Sequence, residues 1–364
     1  MANRIFFDAS KLAEYEHPGE SLAEYLSEED MSVKEFAART NKPEKTIHAV
    51  LSGKSSITND MAIAFEKVTH MPAHYWMNKQ NNYDAYLARQ RDKERQIQLI
   101  SWAKEFPYKE MAALGWVEAT TDAVTKVANL LKFFRVDSAE AWKALYCENK
   151  LKVSFRISLK QSNNPQALSA WLRYGEILAA NETVSSDYSP ALLKSMLPTI
   201  MEIIYKQPAD FAEQIKKVCS HCGIKVLYIK HLPKAPASGC ARWIHDTPCI
   251  MLTDRLKRYD VVCFSLMHEI GHILKHGKKD VFMEGIGEEM TVKEKEAENF
   301  ARQMLLPQKD FEGIVSAGKF GYGDILRASV SHHINTSILV GALIHDNIIT
   351  YRTHGKLLKQ QILV

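Results

Sequence analysis

Residues 268–272 read His268-Glu269-Ile270-Gly271-His272, inside a stretch, 261–276, whose apolar spacing predicts a buried helix. Two histidines four positions apart project from one helical face about a turn from each other. Both imidazoles can therefore reach a single ion, with Glu269 beside them. That is the inner half of a zinc hydrolytic site: the metal polarises a carbonyl and acidifies water, and the carboxylate carries the proton to the leaving amine. The flanks Phe264, Leu266, Met267, Ile270, Ile273 and Leu274 would bury such a helix, and buried imidazole and carboxylate groups need partners. His276 continues the spacing, but three ligands from one helix would strain a tetrahedral ion. It therefore reads as a helix C-terminal residue or as a partner to a ligand.

A third ligand must come from elsewhere in the chain. The run Glu294-Lys295-Glu296-Ala297-Glu298-Asn299-Phe300-Ala301 begins a second helix that must end before Pro307. Glu296 shares a face with Phe300, Gln303 and Met304, so packing of Phe300 would aim Glu296 inward. Glu294 and Glu298 lie on the neighbouring stripe and stay open as alternatives, as does Glu284. An edge strand beside such a helix can hold an extended peptide through backbone hydrogen bonds, and Ile250, Met251, Leu252 and Thr253 are the expected substrate strand. His245, which follows Arg242-Trp243, is a candidate donor to the oxyanion if that strand borders the cleft. Arg255 and Arg258 lie just beyond, placed to pair with acidic groups or to face water.

Residues 264–277, then 294–301, then Leu305-Leu306-Pro307, resemble the ImmA/IrrE family of metallo-endopeptidases. Gly239-Cys240-Ala241-Arg242-Trp243 and Ile250-Met251-Leu252-Thr253 resemble the paired strands that precede the zinc helix in that family, and Val340-Gly341-Ala342-Leu343 its small C-terminal helical segment. The resemblance implies His268, His272 and Glu296 as zinc ligands and Glu269 as general base. Glu298 departs from the family's more usual Asp or Asn, which affects the hydrogen bonding around the metal and not the ligand set.

The other end of the chain carries a different signal. Residues 32–40 have helical apolar spacing, Asn41-Lys42 can turn, and residues 43–51 form a second short helix with Pro43 suited to its first turn. Two short helices joined by a tight turn read as helix-turn-helix, in which the second helix enters the major groove. Lys42, Glu44, Lys45 and His48 are the base-facing candidates, and Lys54, Ser55 and Ser56, past Gly53, are placed to contact phosphate. His17-Pro18-Gly19-Glu20, Leu51-Ser52-Gly53-Lys54, Ile57-Thr58, Tyr75-Trp76-Met77-Asn78-Lys79-Gln80 and Tyr83-Asp84 resemble the Xre-type domain of HigA-like antitoxins across roughly residues 10–90. That resemblance places Ile57, Ala62, Ile63, Phe65 and Trp76 in the core. It also puts Asn41 where the turn glycine usually stands, a position Asn can fill because it tolerates a left-handed backbone.

With 364 residues, 46% hydrophobic and 25% charged, the chain is an ordinary globular sequence able to build more than one core. A net charge of +4 neither requires nor excludes nucleic acid, since a DNA footprint depends on local clustering. No signal peptide or membrane-length apolar run stands out, so the expected location is cytoplasmic. The six cysteines are scattered and fit reduced thiols. Cys219-Ser220-His221-Cys222 is a lone CxxC with no second pair, better read as the buried end of a helix. Between the two ends, residues 90–214 read mainly as helices. The first, 90–100, is a connecting helix broken by Phe106-Pro107, and residues 223–229 form a strand that marks entry into the peptidase fold. Two blocks, at 131–134 with 141–142 and at 155–158 with 170–173, resemble the helical region of longer ImmA/IrrE-type regulators.

The sequence therefore predicts an α+β, mostly helical protein in three parts: a five-helix Xre-type helix-turn-helix domain at 1–90, a helical connecting, dimerisation or sensor region at 91–215, and a zincin-like peptidase domain with a small sheet at 216–364. The expected function is a DNA-binding transcriptional regulator whose zinc-dependent endopeptidase domain cleaves a regulatory or toxin partner, or itself. The alternative is a HigA-like antitoxin or repressor whose peptidase fold senses or docks a partner with little turnover. The implied cofactor is Zn2+, and the implied partners are a palindromic double-stranded DNA operator, a protein substrate or toxin, and a second copy of the chain, with no membrane.

Overall fold

Polar side chains that stop and start helices organise the N-terminal unit. Ser32 Oγ accepts from Glu35 N–H at 3.1 Å and opens one helix, Thr58 Oγ1 accepts from Met61 N–H at 3.3 Å and opens another, and Asn41 takes the left-handed conformation, φ 51°, between the two helices of the turn motif. The computed structural model describes residues 16–147, 164–235, 237–253, 255–276, 282–283, 292–361 and 363. Its contacts divide the chain into two units, Met1–Gln98 and Leu99–Val364.

The first unit contains, among the described residues, α1 (Pro18–Glu28), α2 (Val33–Thr40), α3 (Glu44–Leu51), α4 (Asn59–Thr69) and α5 (Ala73–Gln98). Leu22, Phe36, Ile47, Val50, Phe65 and Trp76 are fully buried between them. Phe65 sits edge-on to Phe36 and to Trp76, at ring separations of 5.0 and 5.6 Å. The scattered segments of the Xre-type resemblance meet here. A Cβ on Gly19 would lie 2.1 Å from the Val50 carbonyl oxygen, so this glycine lets α1 approach the end of α3. The Gln80 side chain on α5 accepts from Ile57 N–H at 2.8 Å and donates to Asp84. Ile63, expected in the core, is instead 49% exposed: α4 buries Met61, Ala62 and Phe65, which leaves Ile63 on the outer side of the helix. The predicted boundary near residue 90 falls inside α5, which runs unbroken to Gln98.

The second unit begins with α6 (Ile100–Lys104), α7 (Tyr108–Ala113), α8 (Ala123–Phe134), α9 (Ala139–Tyr146), α10 (Pro165–Asn181), α11 (Pro190–Lys206) and α12 (Phe211–His221). A sheet follows, made of β1 (Lys225–Tyr228), β2 (Gly239–Ile244), β3 (Thr247–Leu252) and the two-residue β4 (Phe282–Met283), with α13 (Tyr259–Lys275) between β3 and β4. The chain closes with α14 (Val292–Leu305), α15 (Gln308–Ser316), α16 (Tyr322–Ser331), α17 (Thr336–His345) and α18 (Tyr351–His354). Among the described residues the strand order is β1-β3-β2-β4; β1 runs parallel to β3, and the other pairings are antiparallel.

Alternation along the strands fills two cores. Val226, Ala241, Ile250 and Leu252 face the core shared with α11, α12, α13 and α17, while Leu227, Cys240, Cys249 and Met251 face one shared with α6, α8, α9 and α10. The helices expected to form a separate middle region at 91–215 are therefore walls of the same unit as the sheet. A sheet apolar on both faces has to be covered on both. Within this frame Tyr259, the first residue of α13, donates its hydroxyl to Ile204 O at 2.8 Å and so anchors the start of that helix to α11. Cys219 and Cys222 close α12 as buried free thiols, as the lone CxxC suggests. No described helix is long and apolar enough to cross a membrane.

Candidate metal centre

Helix α13 is buried along most of its length, with Cys263, Leu266, Met267 and Ile270 fully inaccessible, and this burial carries the histidines inward. His268 Nε2 and His272 Nε2 lie 2.9 Å apart. The carboxylate that meets them belongs to Glu294, whose Oε2 is 3.1 Å from His268 Nε2 and 3.5 Å from His272 Nε2. Among the described residues these three form the group of His, Cys, Asp and Glu side chains able to hold a metal ion, with all their donor atoms within 4.8 Å of one another. Ligands at zinc distances of about 2.0–2.1 Å in a tetrahedron stand roughly 3.4 Å apart, so this set fits such an ion with small adjustments.

The electrostatics suit a divalent cation. Burial pushes His272 down to about 4, so the imidazole is neutral near pH 7 with a lone pair to give. Burial works to raise the Glu294 carboxyl, but its close contacts with the His268 and His272 rings outweigh it and bring the group down to about 2, leaving it ionised. Glu269 is wholly buried beside the pair, facing the start of β2: a Cβ on Gly239 would stand 2.7 Å from Glu269 Oε1. The glycine leaves the carboxylate its space.

Glu296, expected as the third ligand, does not reach the histidine pair. Its Oε2 lies 3.0 Å from His276 Nε2, and the other ring nitrogen of His276 lies 3.0 Å from His272 Nδ1. Small residues decide this. A Cβ on Gly271 would be 3.0 Å from the Phe300 ring and 3.3 Å from Ala297 Cα, so α13 and α14 approach backbone to backbone along Gly271, Ala297 and Ala301. The stripe 294, 297, 301 faces α13, and Glu296 sits on the next stripe with Phe300 only partly buried. Glu298 neighbours Arg302 at 3.9 Å, and Glu284 lies outside the described residues. His276 caps the C-terminal end of α13, as its position suggests.

Two other expectations fail on topology. Ile250, Met251, Leu252 and Thr253 are buried, and β3 is flanked by β1 and β2, so its backbone groups are already used. The edges among the described strands belong to β1 and β4. His245 is exposed at the β2–β3 turn with φ 55°. Gly239, the end of β2 beside Glu269, is six residues away, about 20 Å at 3.3 Å per residue, which puts His245 out of reach of any oxyanion there. Arg242 is held in an ion pair with Glu176 at 2.9 Å, and Arg258 pairs with Asp260.

In the first unit Glu44, Lys45 and His48 are exposed on α3, with His48 Nε2 3.6 Å from Glu44 Oε1. Lys54 is also exposed; Lys42, in the turn, and Ser55 are half-buried. Ile47 and Val50 on the opposite side of α3 are fully buried, so the helix presents its polar face outward.

Residues 219–320 match the Peptidase_M78 family, described as the IrrE N-terminal-like domain. The N-terminal part is 34% identical over 71 residues to the uncharacterized HTH-type transcriptional regulator YddM of Escherichia coli, a match covering 20% of this chain and 76% of that protein. Two solved structures align with 23% of this chain and 92% of theirs. One is an addiction module antidote protein of a HigA family from Coxiella burnetii, at 33% identity and a TM-score of 0.22, and the other a putative antidote protein of a plasmid maintenance system from Nostoc punctiforme, at 34% and 0.23. The chain belongs to the helix-turn-helix transcriptional regulators, with an Xre-type N-terminal domain joined to an ImmA/IrrE-type metallopeptidase fold.

Proposed function

We propose that this protein is a DNA-binding regulator whose second unit is a zinc-dependent endopeptidase acting on a regulatory protein, a toxin partner or a linker of the chain itself. The observation that carries the reading is the convergence of His268, His272 and Glu294 next to a buried Glu269. Zinc at that point would polarise the scissile carbonyl and acidify the attacking water. Every other requirement falls on the chain. His268, His272 and Glu294 would hold the ion with two imidazole nitrogens and one carboxylate oxygen. Glu269 accepts a proton from the water and delivers it to the leaving amine nitrogen. Gly239 keeps the space that this carboxylate occupies. The opposite face of α13 packs Cys263, Leu266, Met267 and Ile270 into the core, which holds the helix and its histidines in place.

The first unit reads an operator with the exposed face of α3 and the turn before it, Lys42, Glu44, Lys45 and His48 toward base edges and Lys54, Ser55 and Ser56 toward phosphate. A two-fold operator suits this geometry, which makes the working form a homodimer.

The test is to compare wild type with Glu269→Gln on the products of neighbouring genes and on the protein itself. Glu269→Gln keeps its zinc and cuts about 10²–10⁴-fold more slowly, because the proton acceptor is gone while the ligands persist. If both proteins leave every candidate intact while repressing equally, the endopeptidase reading fails and a repressor whose peptidase fold docks a partner takes its place.

A further inference from the structure

Glu296 and His276 do not touch the point where the three donors converge, yet they are aligned with it. His276 Nε2 is 3.0 Å from Glu296 Oε2, His276 Nδ1 is 3.0 Å from His272 Nδ1, and His272 Nε2 faces His268 and Glu294. The His276 side chain is 4% exposed, while that of Glu296 is 50% exposed. The protons along this line can be assigned from donor and acceptor capacity alone. An ionised carboxylate only accepts, so His276 carries its proton on Nε2. In the neutral ring Nδ1 is then an acceptor, so His272 carries its proton on Nδ1. The lone pair of His272 is left on Nε2, directed at the ligand cluster. His268 has no comparable support: its Nδ1 is buried and finds no hydrogen-bond partner among the described residues, and its ring lies near that of Phe264 instead.

We propose that His276 and Glu296 are positioning residues that fix the tautomer and orientation of His272 for the metal, and so set the metal affinity of this site. The proposal rests on the zinc reading given above. Hydrogen-bonded partners of a metal-binding imidazole restrict its rotation and raise its basicity as a ligand. Here the partner is supplied by the residue that caps the same helix, and the anchoring charge by the second turn of α14, so metal affinity depends on the packing of α13 against α14.

The test is the zinc affinity of the full-length protein, by competition with a chromophoric chelator, together with the melting temperature of the metal-free form. His276→Ala should weaken zinc binding about 10–100-fold. Glu296→Ala should weaken it less, about tenfold or below, because half its surface is in water. Glu296→Gln should recover most of that loss, since the amide oxygen still accepts from His276. The double variant should bind no more weakly than His276→Ala within about twofold, because Glu296 acts only through the imidazole. Losses that add, or a His276→Ala protein with wild-type affinity, would overturn the proposal while leaving the zinc site in place. If His276→Ala lowers the metal-free melting temperature, Glu296→Ala at the exposed end decides: unchanged melting with weakened zinc supports positioning, and unchanged zinc refutes it. A wild-type protein that binds no zinc would instead overturn the metal reading itself.

Discussion

In α2 and α3 the candidate functional side chains stand on the outside of a buried frame, whereas in α13 and α14 they are the inside of one. Ile47 and Val50 fix α3 against its neighbours, and Lys45 and His48 face solvent because the opposite face is occupied. Their positions follow from helical period alone. His268, His272 and Glu269 are buried, and the carboxylate that completes their cluster comes from another helix whose rotation is set by contacts far apart in sequence. A reading surface tolerates small shifts because solvated lysines adapt, but a ligand cluster needs its donors within a few tenths of an ångström. The two units therefore fail differently when damaged.

Substitutions can sharpen that contrast. The largest effect outside the metal site should come from Gly19→Ala, which pushes a methyl group into the Val50 carbonyl and separates α1 from α3. A loss of about 1–3 kcal/mol is expected. Hydrogen exchange should speed up across α1 to α4 while zinc stoichiometry stays the same. A smaller effect is expected at the surface of the same unit. Lys45→Ala should lower operator affinity roughly tenfold, about 1.4 kcal/mol, with a shallower dependence on salt and no change in amide protection. An unaltered operator affinity would move the reading surface away from the N-terminal half of α3.

The same contrast explains how far the sequence could be read. The helix-turn-helix was legible because the apolar period of its helices and the turn at Asn41-Lys42 are local, and the Xre-type resemblance placed the left-handed residue at Asn41. The exception, Ile63, sits one position after the buried pair Met61 and Ala62, where the apolar side chain points away from the core. In the second unit the histidine pair was legible for the same local reason. The sequence points to Glu296 rather than Glu294 because Phe300, the largest apolar residue of α14, marks the face that Glu296 shares. The face toward α13 is instead lined by the small residues Ala297 and Ala301 opposite Gly271, which permit the closest approach. The spacing of Gly271, Ala297 and Ala301 was the signal available. Strand order was not legible, so β3 looked like an open edge and the β2–β3 turn looked close to the chemistry. The parallel pairing of β1 with β3, across a hairpin, comes from tertiary packing that no local pattern encodes. The middle helices read as a separate region because their amphipathic faces do not reveal that their partner is the back of the sheet.

The most direct test of the account is the zinc-to-protein ratio of purified wild type, Glu294→Gln and Glu296→Gln, measured side by side after equilibration with Zn2+ at micromolar concentration and removal of excess metal. The account predicts one zinc per chain in wild type and in Glu296→Gln, and a ratio near zero in Glu294→Gln, because only Glu294 completes the set with His268 and His272. Zinc retained by Glu294→Gln and lost from Glu296→Gln would contradict it.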